Sequence, residues 1–214
     1  MTTTTQAVYL PYAGIGSRET PENAMHVLYQ AGKRLAERGF TLRSGAAEGA
    51  DTAFEEGCDQ ASYQGGPGKK EIFIPWAGYN GRPKSEFGEP PELAYEVAER
   101  IHPAWHHLKR GGRTLMARNC QQIMGQNLGS HALFVLCWTK GGKGAGGTGQ
   151  AIRLAKSLGI PVFDIGDPNL EFKTIATAVD LIVKNHTCDK VLEETLGEVK
   201  LKAPAKPKPK AAKK

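Results

Sequence analysis

The chain has 214 residues, 40% apolar and 23% charged, and 28 Lys and Arg outnumber 22 Asp and Glu to give a net charge of +6. That length suits one domain of about 190–200 residues plus a tail, and no apolar run is long enough to span a bilayer. The start Met1-Thr-Thr-Thr-Thr-Gln has no signal-peptide character, and Cys58, Cys120, Cys137 and Cys188 form no CxxC pair, so a cytoplasmic protein without membrane span, disulfide frame, metal or cofactor is expected.

Residues 8–13 predict a first strand, followed by the loop Gly14-Ile15-Gly16-Ser17-Arg18. Thr20 fits an N-cap and Pro21 the first helical position. Ala24, Val27, Leu28, Ala31 and Leu35 then give one apolar stripe, which Gly39 ends. A second strand is expected over 40–44, with a turn from Gly45 to Gly49 into a helix reaching about Cys58. A third strand follows over 71–75, and residues 78–91, rich in Gly, Pro and charge, read as a long surface loop. Helices are expected over 93–101 and 113–128, a strand over 131–138, a helix over 149–157, a fifth strand over 160–165 and a helix over 172–183.

Apolar strands alternating with helices predict an α/β class: a Rossmann-like, doubly wound, mainly parallel sheet of about five strands with helices on both faces. The expected division is a domain over 1–200 and a disordered basic tail over 201–214, whose Lys/Pro/Ala composition has too little apolar content to pack. In such sheets ligands bind at the carboxyl ends of the strands. Three loops should converge there.

In the first loop, Gly14 and Gly16 permit close backbone approach, and Ser17 and Arg18 suit a phosphate at the next helix N-terminus. The dinucleotide fingerprint fails: its third glycine is Glu19, and the second strand ends in Arg43-Ser44 rather than an acid. The second loop, Ser44-Gly45-Ala46-Ala47-Glu48-Gly49-Ala50-Asp51, has the small residues of an anion-binding nest. Asp51 reads as a helix-start residue, whereas Glu48 suits a ribose contact or a general base. The third loop, residues 139–149, holds six Gly with Lys140, Lys143 and Thr148, a phosphate-cradling composition without Walker spacing.

Charge is unevenly distributed. Residues 202–214 carry six Lys and no acid, so residues 1–201 are balanced at 22 basic and 22 acidic groups. Within them, residues 100–163 hold nine basic groups and no acid. Arg118, next to Asn119, lies in this window with no local acid to pair with, which favours an external anion. His102, His106 and His107 have helical spacing, but no carboxylate or Cys completes a metal site. Trp76 and Trp105 suit either base stacking or packing.

Gly16-Ser17-Arg18, the run from Ser44 to Asp51, Arg118-Asn119, and Gly147-Thr148-Gly149-Gln150-Ala151 leading to Gly159-Ile160-Pro161-Val162-Phe163 occur in order over residues 8–166. Together they resemble the Rossmann-like domain of the DNA-processing protein family DprA (Smf), whose superfamily includes Lonely Guy-type phosphoribohydrolases and nucleotide sensors. The resemblance implies single-stranded DNA binding, self-association into a homo-oligomer and a RecA-type recombinase as partner. Its phosphate-binding or nucleic-acid-binding residues would be Gly16, Ser17, Arg18, Arg43, Ser44, Gly45, Arg118, Asn119, Lys143, Gly146, Gly147 and Thr148. The alternatives within the superfamily are a nucleoside 5′-monophosphate N-glycosidase using Glu48 and a non-catalytic nucleotide sensor. The chain departs from the hydrolase pattern, because the catalytic Glu position of the Lonely Guy loop falls on Arg153.

Overall fold

The computed structural model describes residues 8–84 and 86–201, with side chains through Thr187. The expected tail over 201–214 lies outside the described residues beyond Leu201. The chain divides into two compact units, Met1–Ile175 and Ala176–Lys214. The second unit contains most of one long helix, which begins in the first.

The first unit is an α/β sheet of five parallel strands in the order β3-β2-β1-β4-β5. The strands are β1 (Leu10–Gly16), β2 (Phe40–Ser44), β3 (Lys69–Ile72), β4 (Val135–Trp138) and β5 (Val162–Asp164). The helices are α1 (Glu22–Glu37), α2 (Ala50–Tyr63), α3 (Glu92–Ile101), α4 (Arg110–Met124), α5 (Gly146–Ser157) and α6 (Phe172–Leu201). Register is fixed at the centre by the pairs Leu10–Phe40 and Ala13–Arg43 on one side of β1, and Ala13–Val135 and Gly16–Trp138 on the other.

Alternation along β1 builds the two layers. Tyr12 points to an aromatic cluster with Phe40, Phe54 and Phe134, the Phe134 ring stacking on it at 5.5 Å. This layer lies on the side of α1 and α2, which pack on each other. Ala13 and Ile15 join the opposite core with Ala117, Cys120 and Ile123 of α4 and Ile152 and Ala155 of α5. Along the central strands β1, β2 and β4 both faces of the sheet are therefore buried, as in parallel sheets covered by helices on both sides. A side chain such as Phe134, fully buried, contributes roughly 1.5–3 kcal/mol by area removed from water.

The winding reverses at β1. From there the chain builds outward through β2 and β3, then returns to lay β4 and β5 on the other side. In sheets of this winding the loops after the two strands at the reversal, here β1 and β4, flank the crevice that is the ordinary ligand position.

Several boundaries differ from expectation. Pro21 rather than Thr20 precedes the first helical residue of α1, and the Thr20 hydroxyl donates to the Ser17 carbonyl at 2.6 Å, closing the β1 loop. Gly39 has φ +84° and its N–H bonds the Ala36 carbonyl, as its helix-ending position predicts. β4 is shorter than expected because residues 131–134 approach as a connecting segment, and β3 starts earlier, at Lys69. The helix expected over 172–183 extends to Leu201.

Candidate nucleotide or nucleic-acid site

Two neighbouring residues of α4 stitch the loop edge together. Arg118 donates from Nη1 to the Gly45 carbonyl after β2, and also to the Phe73 carbonyl after β3 at 3.4 Å. A Cβ at Gly45 would overlap the guanidinium and approach the Gln122 amide, so only glycine leaves room for this close packing. Asn119, one residue on, donates from Nδ2 to the Gly147 carbonyl at 3.1 Å and so anchors the first turn of α5. Arg118 and Asn119 are 4% and 6% exposed, so both act from beneath the loops.

Arg118 has an acid after all. Asp51 Oδ2 lies 3.9 Å from its Nη1, supplied from α2, far outside the acid-free window. The Asp51 carboxylate also accepts from the backbone N–H groups of Gly16 at 3.2 Å, Gly45 at 3.2 Å and Ala47 at 3.3 Å. One buried carboxylate thus joins the loops after β1 and β2. Burial pushes its pKa up to about 6, against the opposing pull of Arg118 and of the three N–H donors. Burial likewise lowers the pKa of Arg118, with Asp51 acting against the shift.

The expected anion contacts of Arg43 and Ser44 need correction. Arg43 is 2% exposed, and its guanidinium bonds Glu71 at 2.7 Å, the Tyr9 hydroxyl at 2.8 Å and the Ser130 carbonyl. Tyr9 precedes β1 and Ser130 precedes β4, so the group serves the amino side of the sheet, away from the loop edge. Ser44 is fully buried and donates to the Gly14 carbonyl at 2.7 Å. Both positions looked available because strand ends often present side chains to a ligand; in this sheet the internal partners claim them.

The third loop has a framework of its own. Gly141, Gly142, Gly144 and Gly146 all have positive φ, between 61° and 68°, a backbone path that other residues rarely adopt. Asp164 at the end of β5 accepts from the Thr139 N–H at 2.8 Å, from the Thr139 hydroxyl and from the Gly166 N–H at 3.0 Å. The Thr139 hydroxyl oxygen in turn accepts from the Gly144 N–H at 2.9 Å. These bonds set the loop so that α5 starts at the carboxyl edge, with Gly146 and Gly147 exposed and Thr148 half-buried. Lys140 and Lys143 are exposed on the same loop, and Arg18 is exposed on the loop after β1. The two loops are adjacent: the Ser17 N–H bonds the Trp138 carbonyl at 3.1 Å.

Comparison of the chain with protein-family models, curated proteins and solved structures gives no match. The chemistry of the site therefore rests on its own geometry. Gly16, Ser17 and Arg18 lie at the end of β1 and on the loop after it, and Lys143, Gly146, Gly147 and Thr148 lie on the loop after β4 and in the first turn of α5, the two sides of the point where the winding reverses. Arg118, Asn119 and Gly45 form the support beneath. Glu48 is exposed at the turn into α2.

Three contributors were not assigned from sequence. Asp51 looked like an ordinary helix-start acid; the run of small residues around it was the available signal, because it lets backbone N–H groups reach a carboxylate. Tyr79 and Asn80 come from the expected surface loop, and nothing in that segment's composition marks them. Asn80 donates to the Ala46 carbonyl at 2.8 Å, and the Arg118 guanidinium carbon lies 5.7 Å from the Tyr79 ring centre. A separate hollow of about 190 Å³ lies by β3, lined in part by Lys70, Arg82 and Lys84. Two of its cations are already engaged: Lys70 and Arg82 bond Glu55 at 2.9 and 2.6 Å.

Proposed function

We propose that the protein binds single-stranded DNA through phosphates seated in the β1/β4 crevice, in the DprA-like role in DNA processing and recombination that the sequence resemblance implies. The observation that carries this reading is the set of exposed cations on the loops after β1 and β4. Asp51 and Asp164 are turned inward onto backbone donors, while Arg18 on the loop after β1 and Lys140 and Lys143 on the loop before α5 remain exposed, with Glu19 and Glu48 exposed on the first two loops. Exposed cations beside a helix N-terminus suit a phosphodiester, which needs charge and N–H donors but no buried chamber. The hydrolytic alternative draws less support. A carboxylate that stabilises a ribosyl cation or activates water works best in a water-excluding site, and Glu48 is exposed.

Phosphate binding releases counterions, so affinity for a fluorescent dT20 strand should fall steeply between 50 and 200 mM NaCl, read by anisotropy. Arg18→Ala and Lys143→Ala should each weaken binding and reduce the steepness of the salt dependence by somewhat less than one counterion, about 0.7. A flat, salt-insensitive titration sinks the reading. Release of free base from a nucleotide panel, abolished by Glu48→Gln, would replace it with the hydrolase.

A further inference from the structure

After β3 the chain turns out through Trp76, which lies against the start of α4. A Cβ at Gly111 would be 3.9 Å from the edge of the indole, an ordinary contact. Tyr79 meets Trp76 edge-on with ring centres 5.4 Å apart, and Tyr79 itself lies by Arg118, under the loop edge. The three groups thus form a row from the first turn of α4 to the support of the crevice. Despite these neighbours Trp76 remains 37% exposed. Trp105 provides the contrast: it is 6% exposed, with the Arg113 guanidinium 5.4 Å from its ring centre, and serves as a packing residue.

The surroundings of Trp76 select the partner. Lys109 and Arg110, beside the glycine that it touches, are exposed, and the first turn of α4 contains no acid. A large aromatic surface next to two exposed cations suits an unpaired base attached to a phosphate chain. Stacking uses the face of the base, which a duplex hides between its neighbours, and the adjacent charges take the phosphates.

We propose that Trp76 is a stacking platform for a base of single-stranded DNA, with Lys109 and Arg110 holding the flanking phosphates. A strand seated in the crevice continues across Tyr79 and Trp76 onto α4. This rests on the DNA-binding reading above and adds a contact outside the crevice. It distinguishes a strand from a mononucleotide, which fills the crevice alone.

The test compares the full chain with Trp76→Ala, Trp76→Phe and the pair Lys109→Ala/Arg110→Ala on dT20 and on an abasic strand of equal length, with thermal unfolding recorded for each. Trp76→Ala should weaken dT20 binding about tenfold with little change in salt dependence, and Trp76→Phe should recover most of the loss. On the abasic strand wild type and Trp76→Ala should bind alike. The Lys109/Arg110 pair should flatten the salt dependence on both strands. Equal dT20 binding by wild type and Trp76→Ala would overturn the platform while leaving the crevice reading intact. So would an equal loss on both strands, which would assign Trp76 to the fold or to another class of partner. If wild type itself shows no salt-sensitive binding of dT20, the crevice reading fails first, and the platform with it.

Discussion

Asp51 combines three roles in one side chain. It places an acid in the first turn of α2, joins the loops after β1 and β2 through Gly16, Gly45 and Ala47, and faces the Arg118 guanidinium. Removing Arg118 would leave this carboxylate buried without its cation, a change that costs roughly 3–5 kcal/mol for comparable pairs. The raised pKa has a consequence whose sign follows from proton binding. An acid with a folded pKa of about 6 and an ordinary value of 3.8 binds its proton more tightly when folded. Its stabilising contribution is full below pH 4 and declines as pH rises through about 6. Urea unfolding of wild type and Asp51→Asn across pH 4–7 should therefore show the wild type losing stability relative to the variant, by on the order of 2 kcal/mol, then levelling. A difference that is flat over the whole range would show that Asp51 titrates normally.

At the scale of elements, the candidate site consists of loops held by side chains from neighbouring helices and strands. α4 supplies Arg118 and Asn119, α2 supplies Asp51, and β5 supplies Asp164, so no loop depends on its own sequence alone. The third loop makes this plain. Its glycines give it freedom, and Asp164 removes that freedom by fixing Thr139 and Gly166. Asp164→Ala should cost about 2–3 kcal/mol, since hydrogen bonds to a charged acceptor are lost and their donors are left unpaired. Amide exchange at Thr139 and Gly166 should accelerate selectively. Unchanged exchange at both would mean that the loop is held by other contacts. The strands themselves were legible: β4 is an apolar run, and an apolar run between helical patterns has few alternatives to a buried parallel strand. The segment after β3 was not. Its Gly, Pro and charge content describes a surface loop equally well whether it projects into water or folds back, as Asn80 does onto Ala46.

For the whole molecule, the net charge of +6 conceals a neutral body, an acid-free third and a basic terminus. The cations of the acid-free third do not share one environment. Arg118 is buried beside Asp51 and Arg113 covers Trp105, whereas Arg100, 3.8 Å from Glu96, and Lys109, Arg110, Lys140, Lys143, Arg153 and Lys156 are exposed. The six lysines of residues 202–214 carry the basic surplus, outside the described residues. Truncation after Leu201 should weaken dT20 binding and flatten its salt dependence without abolishing either, because the crevice cations stay in place. Complete loss on truncation would transfer the binding site to the tail. Among the described residues, no helix is long and apolar enough to cross a membrane.

Sequence alone determined the α/β class, the parallel winding and the three loops, because apolar periodicity and glycine placement act locally and leave a pattern along the chain. It also singled out Arg118-Asn119, but with the opposite sense for Arg118: a cation without a nearby acid in sequence read as a cation free for a ligand. Only the tertiary structure brought Asp51 to it across 67 positions of the chain, and Glu71, Tyr9 and Ser130 to Arg43. Ion pairs and hydrogen bonds between distant elements depend on distance in space, which composition and spacing do not encode. The sheet order decides it, by setting β2 beside β1 and α4 beneath their loops.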